Sequence, residues 1–297
     1  MQTRYLILRV LENPVIAMGC WAIVGDATWG EQDEQDALAA IDAAFDAGVN
    51  FYDTAEGYGG GSSEQLLGRL LESRRDEVII ATKASAGHHD PAGLKQACED
   101  SLTRLRTDYI DLYQLHWPSR EVPFEDTWAA MEGLIQEGKV RVGGVSNFGP
   151  LDLGDLLAAG HPDVNQLSYS LLFRAIEYEI RPLCEREEVG ILCYSPMAQG
   201  LLTGKFASAD EVPEGRARTR VFSAERAEVR HAEDGAEEVA FAAIAEVRAI
   251  AEEMGEPMAD LALAWLLRQP AVACVLAGMR NVDQARANAR AADLALP

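Results

Sequence analysis

Three apolar runs in this chain close on a residue that can ionise. Val49-Asn-Phe-Tyr-Asp53 ends in a carboxylate, the run from Val78 to Lys83 ends in an ammonium, and Tyr109 to His116 ends in an imidazole. Just past the first run, Thr54-Ala-Glu-Gly-Tyr-Gly59 sets Tyr58 between two glycines, which removes bulk and lets the backbone turn sharply. Brought together, these side chains make a proton-transfer set. An ammonium beside a phenol favours the phenolate, so Lys83 is expected to lower the pKa of Tyr58 from its ordinary value of about 10 and make it a general acid. Asp53 would keep Lys83 charged where partial burial would otherwise strip its proton. His116 offers a donor that can fix a substrate oxygen relative to Tyr58. Taken singly each has an ordinary use: Asp53 as a loop cap, Lys83 in a surface pair, Tyr58 in packing, His116 as a satisfied core histidine. Their joint order favours the chemical reading.

The elements that must position them alternate along the chain. Short β-branched or apolar runs fit strands at Val15–Gly19, Val49–Asp53, Val78–Lys83, Tyr109–His116, Val140–Ser146, Val164–Ser168, Ile191–Ser195 and Val272–Ala277. Amphipathic runs between them fit helices at Asp33–Ala47, Ser62–Glu72 and near 91–105, 124–137, 151–158, 177–188, 259–268 and 282–292. Strand and helix in eightfold alternation predict an α/β fold, a single (β/α)8 TIM barrel over residues 1–297, with its chemistry at the carboxyl ends of the strands. One stretch, Pro196 to about Ala236, is far longer than an ordinary βα loop and reads either as a lid or as a solvated insertion. Val239–Glu253 reads as an extra helix before the eighth unit.

Composition narrows the partners. The chain has 297 residues and a formal net charge of −22, which repels phosphate backbones and anionic lipid, so nucleic acid is not expected. Charged residues and Pro14 break the apolar opening stretch, so neither a secretory leader nor a spanning helix is expected. The five cysteines, Cys20, Cys98, Cys184, Cys193 and Cys274, are scattered and odd in number, which suits a reducing cytoplasm. His88-His89 lacks nearby acids of ligand spacing, so no metal site is expected. With only four lysines, Lys83, Lys95, Lys139 and Lys205, each one is informative.

From Gly19-Cys-Trp21 through Asp53-Thr-Ala-Glu-Gly-Tyr-Gly59, Lys83, Leu115-His-Trp-Pro118, Gly143-Gly-Val-Ser-Asn-Phe148, the run from Tyr194 to Lys205, and Gly278-Met-Arg280, the chain resembles the aldo-keto reductases. The resemblance covers nearly its full length and its motifs are specific in combination. It implies a catalytic tetrad of Asp53, Tyr58, Lys83 and His116, with Tyr58 as proton donor, and reversible hydride transfer between a nicotinamide cofactor and a carbonyl. It carries Ser146, Asn147 and Gln166 to the nicotinamide carboxamide and Tyr194 to the face of that ring. Ser195, Pro196, Gly200, Leu201, Thr203 and Lys205 would line the pyrophosphate, and Gly278, Arg280, Gln284 and Asn288 the adenosine end.

An arginine near position 280 favours the 2′-phosphate in this family, so NADPH is expected over NADH, with NADH possible. No Gly-x-Gly-x-x-Gly follows the first strand, so a Rossmann binding mode is not expected. Trp21, Trp29 and Trp117 follow strands one and four and would wall an apolar substrate pocket, or simply pack. The sequence departs from the family at Cys20, Ala277 and Met279, and Tyr5–Pro14 lacks the glycine-bearing turn expected of a hairpin under the barrel. The expected function is NADPH-dependent reduction of aldehydes or ketones. The alternative is a nicotinamide-binding regulatory subunit with slow or vestigial activity, in which the tetrad would survive.

Overall fold

In a computed structural model the described residues are 2–5 and 12–296. Strands β1 (Thr3–Tyr5) and β2 (Glu12–Pro14) pair antiparallel, Thr3 opposite Pro14. The hairpin whose turn glycine is missing therefore forms a ladder all the same; the turn itself, 6–11, lies outside the described residues. The buried Asn13 side chain donates to the Ala273 carbonyl and ties this pair to the barrel.

Eight parallel strands then close on themselves: β3 (Ile16–Gly19), β4 (Phe51–Asp53), β5 (Ile79–Ala84), β6 (Ile110–Leu115), β7 (Val140–Ser146), β8 (Val164–Ser168), β9 (Gly190–Tyr194) and β10 (Val272–Gly278), with β10 paired to β3. The expected fold is thus the observed one, with strand ends shifted by a residue or two. The helices are α1 (Glu34–Asp46), α2 (Ser62–Leu71), α3 (Pro91–Leu105), α4 (Phe124–Gln136), α5 (Pro150–Leu157), α6 (Ile180–Arg186), α7 (Glu237–Met254), α8 (Met258–Leu267) and α9 (Val282–Arg290). Local chemistry sets several starts. Asp33 accepts from the Gln35 and Asp36 amides to cap α1, and Asp90 caps α3 ahead of Pro91.

The strands are buried on both faces, as parallel barrels require. Their period of two separates an outer layer packed under the helices from an inner layer that includes Phe51, Ala81, Leu112, Val164, Leu192 and Leu276. Counting two residues onward from these inner positions reaches Asp53, Lys83, Gln114, Gln166 and Tyr194. The candidate site is therefore the top layer of the barrel interior, where the apolar filling gives way to polar groups.

The long stretch after β9 is not merely solvated. Leu201, Leu202, Phe206, Val212, Ala217 and Phe222 bury themselves with residues of α7 and α8 in an apolar cluster of their own. Among the described residues no helix is long and apolar enough to cross a membrane.

Candidate active site

Lys83 is fully buried, and its ammonium donates to Asp53 Oδ1 and to the Thr54 carbonyl, each at 2.6 Å. Tyr58 Oη lies 3.5 Å from the same nitrogen, brought there by the turn after β4. The other carboxylate oxygen of Asp53 accepts from Gln166 Nε2 at 2.7 Å and from Gln114 Nε2 at 3.4 Å. Asp53 is thereby held from both sides. The expected ion pair and its contact with the phenol are present.

Burial alone would drive the proton off Lys83, but Asp53 and Tyr58 outweigh it and raise its pKa above the ordinary lysine value. For Tyr58 the balance runs against expectation. Desolvation raises its pKa above the usual phenol value, and the pull of Lys83 in the other direction is the smaller effect. The phenol is thus held protonated at neutral pH, with the ammonium lowering the cost of its anion. His116 lies edge-on to Tyr58, ring centres 5.8 Å apart. Burial first and Lys83 second push its pKa down to about 3, so the ring is neutral and keeps one N–H to donate.

Beside these, Ser146, Asn147, Gln166 and Tyr194 form one connected patch. Ser146 Oγ donates to the Gln166 carbonyl, Asn147 Nδ2 donates to Ser146 Oγ and the His116 carbonyl, and Tyr194 Oη donates to Asn147 Oδ1 at 2.9 Å. The Gln166 amide nitrogen is committed to Asp53, so any contact it makes with a ligand is through its oxygen. That bracing role was not foreseen, and neither was Gln114, which sits inside an ordinary apolar strand.

The segment after β9 is a run of tight turns. Ser195, Ala198, Gln199, Gly200 and Gly204 all have positive φ, Gly200 at +101°, where a side chain would be strained. The Ala198, Gly200 and Leu202 amides donate back to the Ser195 and Met197 carbonyls, which holds the segment in these turns. A Cβ at Gly200 would crowd the end of the Lys205 side chain, 3.0 Å away. Within the predicted set the side chains divide. Pro196 is buried, Leu201 is buried in the loop's apolar cluster, and the Thr203 hydroxyl donates to the Gly200 carbonyl, so these side chains help hold the turns in place.

Arg216 belongs to the site and was missed. Lys205, Arg216 and Arg280 lie close enough that the other two depress Lys205, burial being the larger cause, and among the described residues none of the three is paired with a carboxylate. Arg216 Nε and Gln199 Oε1 are buried without a partner. Three cations without carboxylate partners gathered beside these turns, one of them with an unused donor, fit a dinucleotide's phosphates. A chain position eleven residues after Lys205, within a charge-mixed loop, carried no signal of this.

Arg280 is already engaged. Its guanidinium donates to the Trp29 and Glu31 carbonyls and to Gln32 Oε1, clamping the loop between β3 and α1. Gln284 Oε1 accepts from the Arg280 amide, and the buried Asn288 donates to the Gly278 carbonyl. The adenosine-end candidates therefore brace one another.

Aromatic rings wall the mouth. Trp21 stacks on Tyr58 with centres 6.0 Å apart, Trp29 meets Trp21 edge-on at 5.5 Å, and Trp117, half exposed, stacks on His116 at 6.5 Å. All three tryptophans are thus brought to the site. The Arg218 guanidinium lies over the Trp21 ring, 5.1 Å from its centre.

The model of the aldo/keto reductase family matches residues 15–297. The aldo-keto reductase YhdN of Bacillus subtilis is 33% identical over 93% of this chain and 84% of its own length. The NADH-specific methylglyoxal reductase of Escherichia coli is 31% identical over 95% and 90%. An aldo/keto reductase from Klebsiella pneumoniae, solved with NADP and acetate, superposes with a TM-score of 0.79 at 30% identity, covering 100% of this chain and 92% of that one. A closed eight-stranded barrel with a buried lysine–aspartate pair under a tyrosine, matched over nearly its whole length, belongs to the aldo/keto reductase family.

Proposed function

We propose that this protein reduces aldehydes or ketones to alcohols with NADPH, NADH being usable in its place, on one barrel domain spanning its 297 residues. The observation that carries the reading is Lys83, fully buried and charged against Asp53, with its ammonium 3.5 Å from the Tyr58 hydroxyl at an aromatic-walled mouth. The relatives include an NADP complex and an NADH-specific enzyme, which is why both cofactors enter the reading. Ser146, Asn147 and Tyr194 would hold the nicotinamide end, the backbone of 195–204 with Lys205 and Arg216 the pyrophosphate, and Arg280 the 2′-phosphate. Bound there, the cofactor supplies the hydride that a carbonyl carbon accepts.

Tyr58 acts as general acid. Its proton passes to the carbonyl oxygen as negative charge develops there, and the neighbouring ammonium stabilises the phenolate left behind. Asp53 keeps Lys83 protonated, and Gln166 and Gln114 keep Asp53 in place. The neutral His116 ring donates a second hydrogen bond to the same oxygen and so orients the carbonyl without competing as an acid. Trp21, Trp29 and Trp117 exclude water from the reacting face. With every described cysteine reduced and buried, a cytoplasmic setting suits the chain.

The test follows NADPH oxidation with aromatic and aliphatic aldehydes. Tyr58→Phe should cost roughly a hundred- to ten-thousandfold in kcat while cofactor binding persists. A phenylalanine variant as fast as wild type would remove Tyr58 from the proton transfer.

A further inference from the structure

On a chain of −22, two of the five arginines on the segment after β9 pair with acids among the described residues. Arg220 pairs with Glu233, and Arg226 pairs with Asp210 and Glu237. Arg218 does not. It is half-buried, and among the described residues no carboxylate lies within ion-pair distance of it. The charges around it are Arg230, Asp26 and Glu228. Asp26 is committed elsewhere: one of its oxygens accepts from Trp21 Nε1 and the other from the Thr28 and Trp29 amides.

Position gives this free guanidinium its meaning. It lies over Trp21, whose ring is nearly parallel to that of Tyr58, with 20° between the planes. Arg218 stands 5.1 Å from the centre of Trp21 and the centre of the Tyr58 ring stands 6.0 Å from it, so the guanidinium carbon and that ring centre are no farther apart than those two lengths laid end to end. Within that bound, a molecule with one benzene ring or a short aliphatic chain between its carbonyl and its carboxylate is of a size to reach both groups.

We infer that Arg218 is a specificity-determining residue that selects carbonyl substrates carrying a carboxylate, with the carbonyl oxygen at Tyr58 and the carboxylate on the guanidinium. This rests on the reductase reading and narrows it. A guanidinium is weakly hydrated and presents parallel donors, so it takes a carboxylate with two bonds from a partly dried site. The tryptophan face beneath it keeps the cation in place while it waits for a ligand. The chain's overall negative charge repels anions at long range, which makes a local cation at the mouth the feature that admits them.

The experiment compares 4-carboxybenzaldehyde with its methyl ester, which has nearly the same shape and no charge. Wild type should favour the acid. In Arg218→Ala the ratio of kcat/KM, acid over ester, should fall about tenfold or more, chiefly through KM of the acid. Arg218→Lys should recover part of the ratio, and Arg218→Glu should invert it. Calorimetric binding of 4-methylbenzoate to the NADPH-loaded protein, which needs no turnover, should weaken by a similar factor in Arg218→Ala.

Wild-type turnover of both compounds without preference for the acid would overturn the inference and leave the reductase reading standing. A rise in KM for NADPH in Arg218→Ala, equal with either aldehyde and with the ratio unmoved, would overturn it too by assigning the guanidinium to the cofactor. No turnover of either compound would sink the reductase reading, and substrate selection with it.

Discussion

Lys83 is sealed in the barrel, and its hydrogen bonds go to groups set by β4 or the turn that follows it. Arg216 and Arg218 sit a few residues apart on the segment after β9, with no acid partner among the described residues and, in Arg216, an orphaned Nε. Both regions concentrate positive charge in a strongly acidic protein, yet one is neutralised from within and the other is left open. The difference matches what each must do. A proton donor needs its neighbour fixed before substrate arrives, because reorganising a buried charge during the reaction is costly. A binding rim needs unsatisfied groups, because ligand must supply the missing partner. Arg280 is intermediate: it is a rim cation, but its donors already hold the Trp29–Gln32 backbone.

The sharpest way to break this contrast is Lys83→Met. It leaves the Asp53 carboxylate buried with only amide donors, so stability should fall by about 3–5 kcal/mol and turnover by at least roughly a hundredfold. Urea unfolding and a steady-state assay read the two losses. A variant as stable as wild type would mean that the buried ion pair does not hold the floor of the site.

Acid tests the enclosed side without touching the chemistry. His89, 1% exposed, has its pKa pushed down to about 4, chiefly by burial. A histidine depressed in the folded state binds fewer protons there than when unfolded. Stability is therefore intact above the unfolded value of about 6.5 and is lost as pH falls towards 4, by roughly 2 kcal/mol near pH 5. His89→Gln should flatten this slope between about pH 6.5 and 4; an unchanged slope would place the acid sensitivity in other groups.

On the open side, Arg216→Ala should raise KM for NADPH and NADH alike by about tenfold with little change in Tm, since it removes a phosphate partner and, of the folded contacts among the described residues, only the one with the Phe206 ring, 5.3 Å from its centre. A large drop in Tm with unaltered cofactor binding would reverse its assignment. The smallest effect belongs to Arg280→Ala, a loss of several-fold in preference for NADPH over NADH. It should be accompanied by faster amide exchange over Trp29–Gln32, whose carbonyls it clamps. Equal losses for both cofactors would leave Arg280 as a loop clamp alone.

Much of this was legible beforehand. Asp53, Lys83 and His116 stood at the ends of apolar runs, and a period of two placed them on the inner face once the runs closed into a cylinder. The sign of the Tyr58 shift was not legible. A neighbouring ammonium can be read from spacing, but the desolvation that outweighs it depends on how completely the mouth is walled. Nor could Gln114 and Gln166 be seen as the braces of Asp53, since they come from strands far apart in sequence. That the side chains of Leu201 and Thr203 support the loop itself was equally hidden, because the partners they meet are set by how a long segment buries enough apolar surface to hold its shape.

Order along the chain was enough to specify the kind of elements, their closure and the chemical types at their ends, because those follow from periodicity and from steric rules that act over a few residues. Which cations stay open and which are quenched was settled by the folded arrangement. Arg216, Arg218, Arg220 and Arg226 look alike as letters in one segment, and only the carboxylates that folding brings near, or fails to bring, set two of them apart. Electrostatic fate depends on distances of a few ångströms between residues remote in the chain.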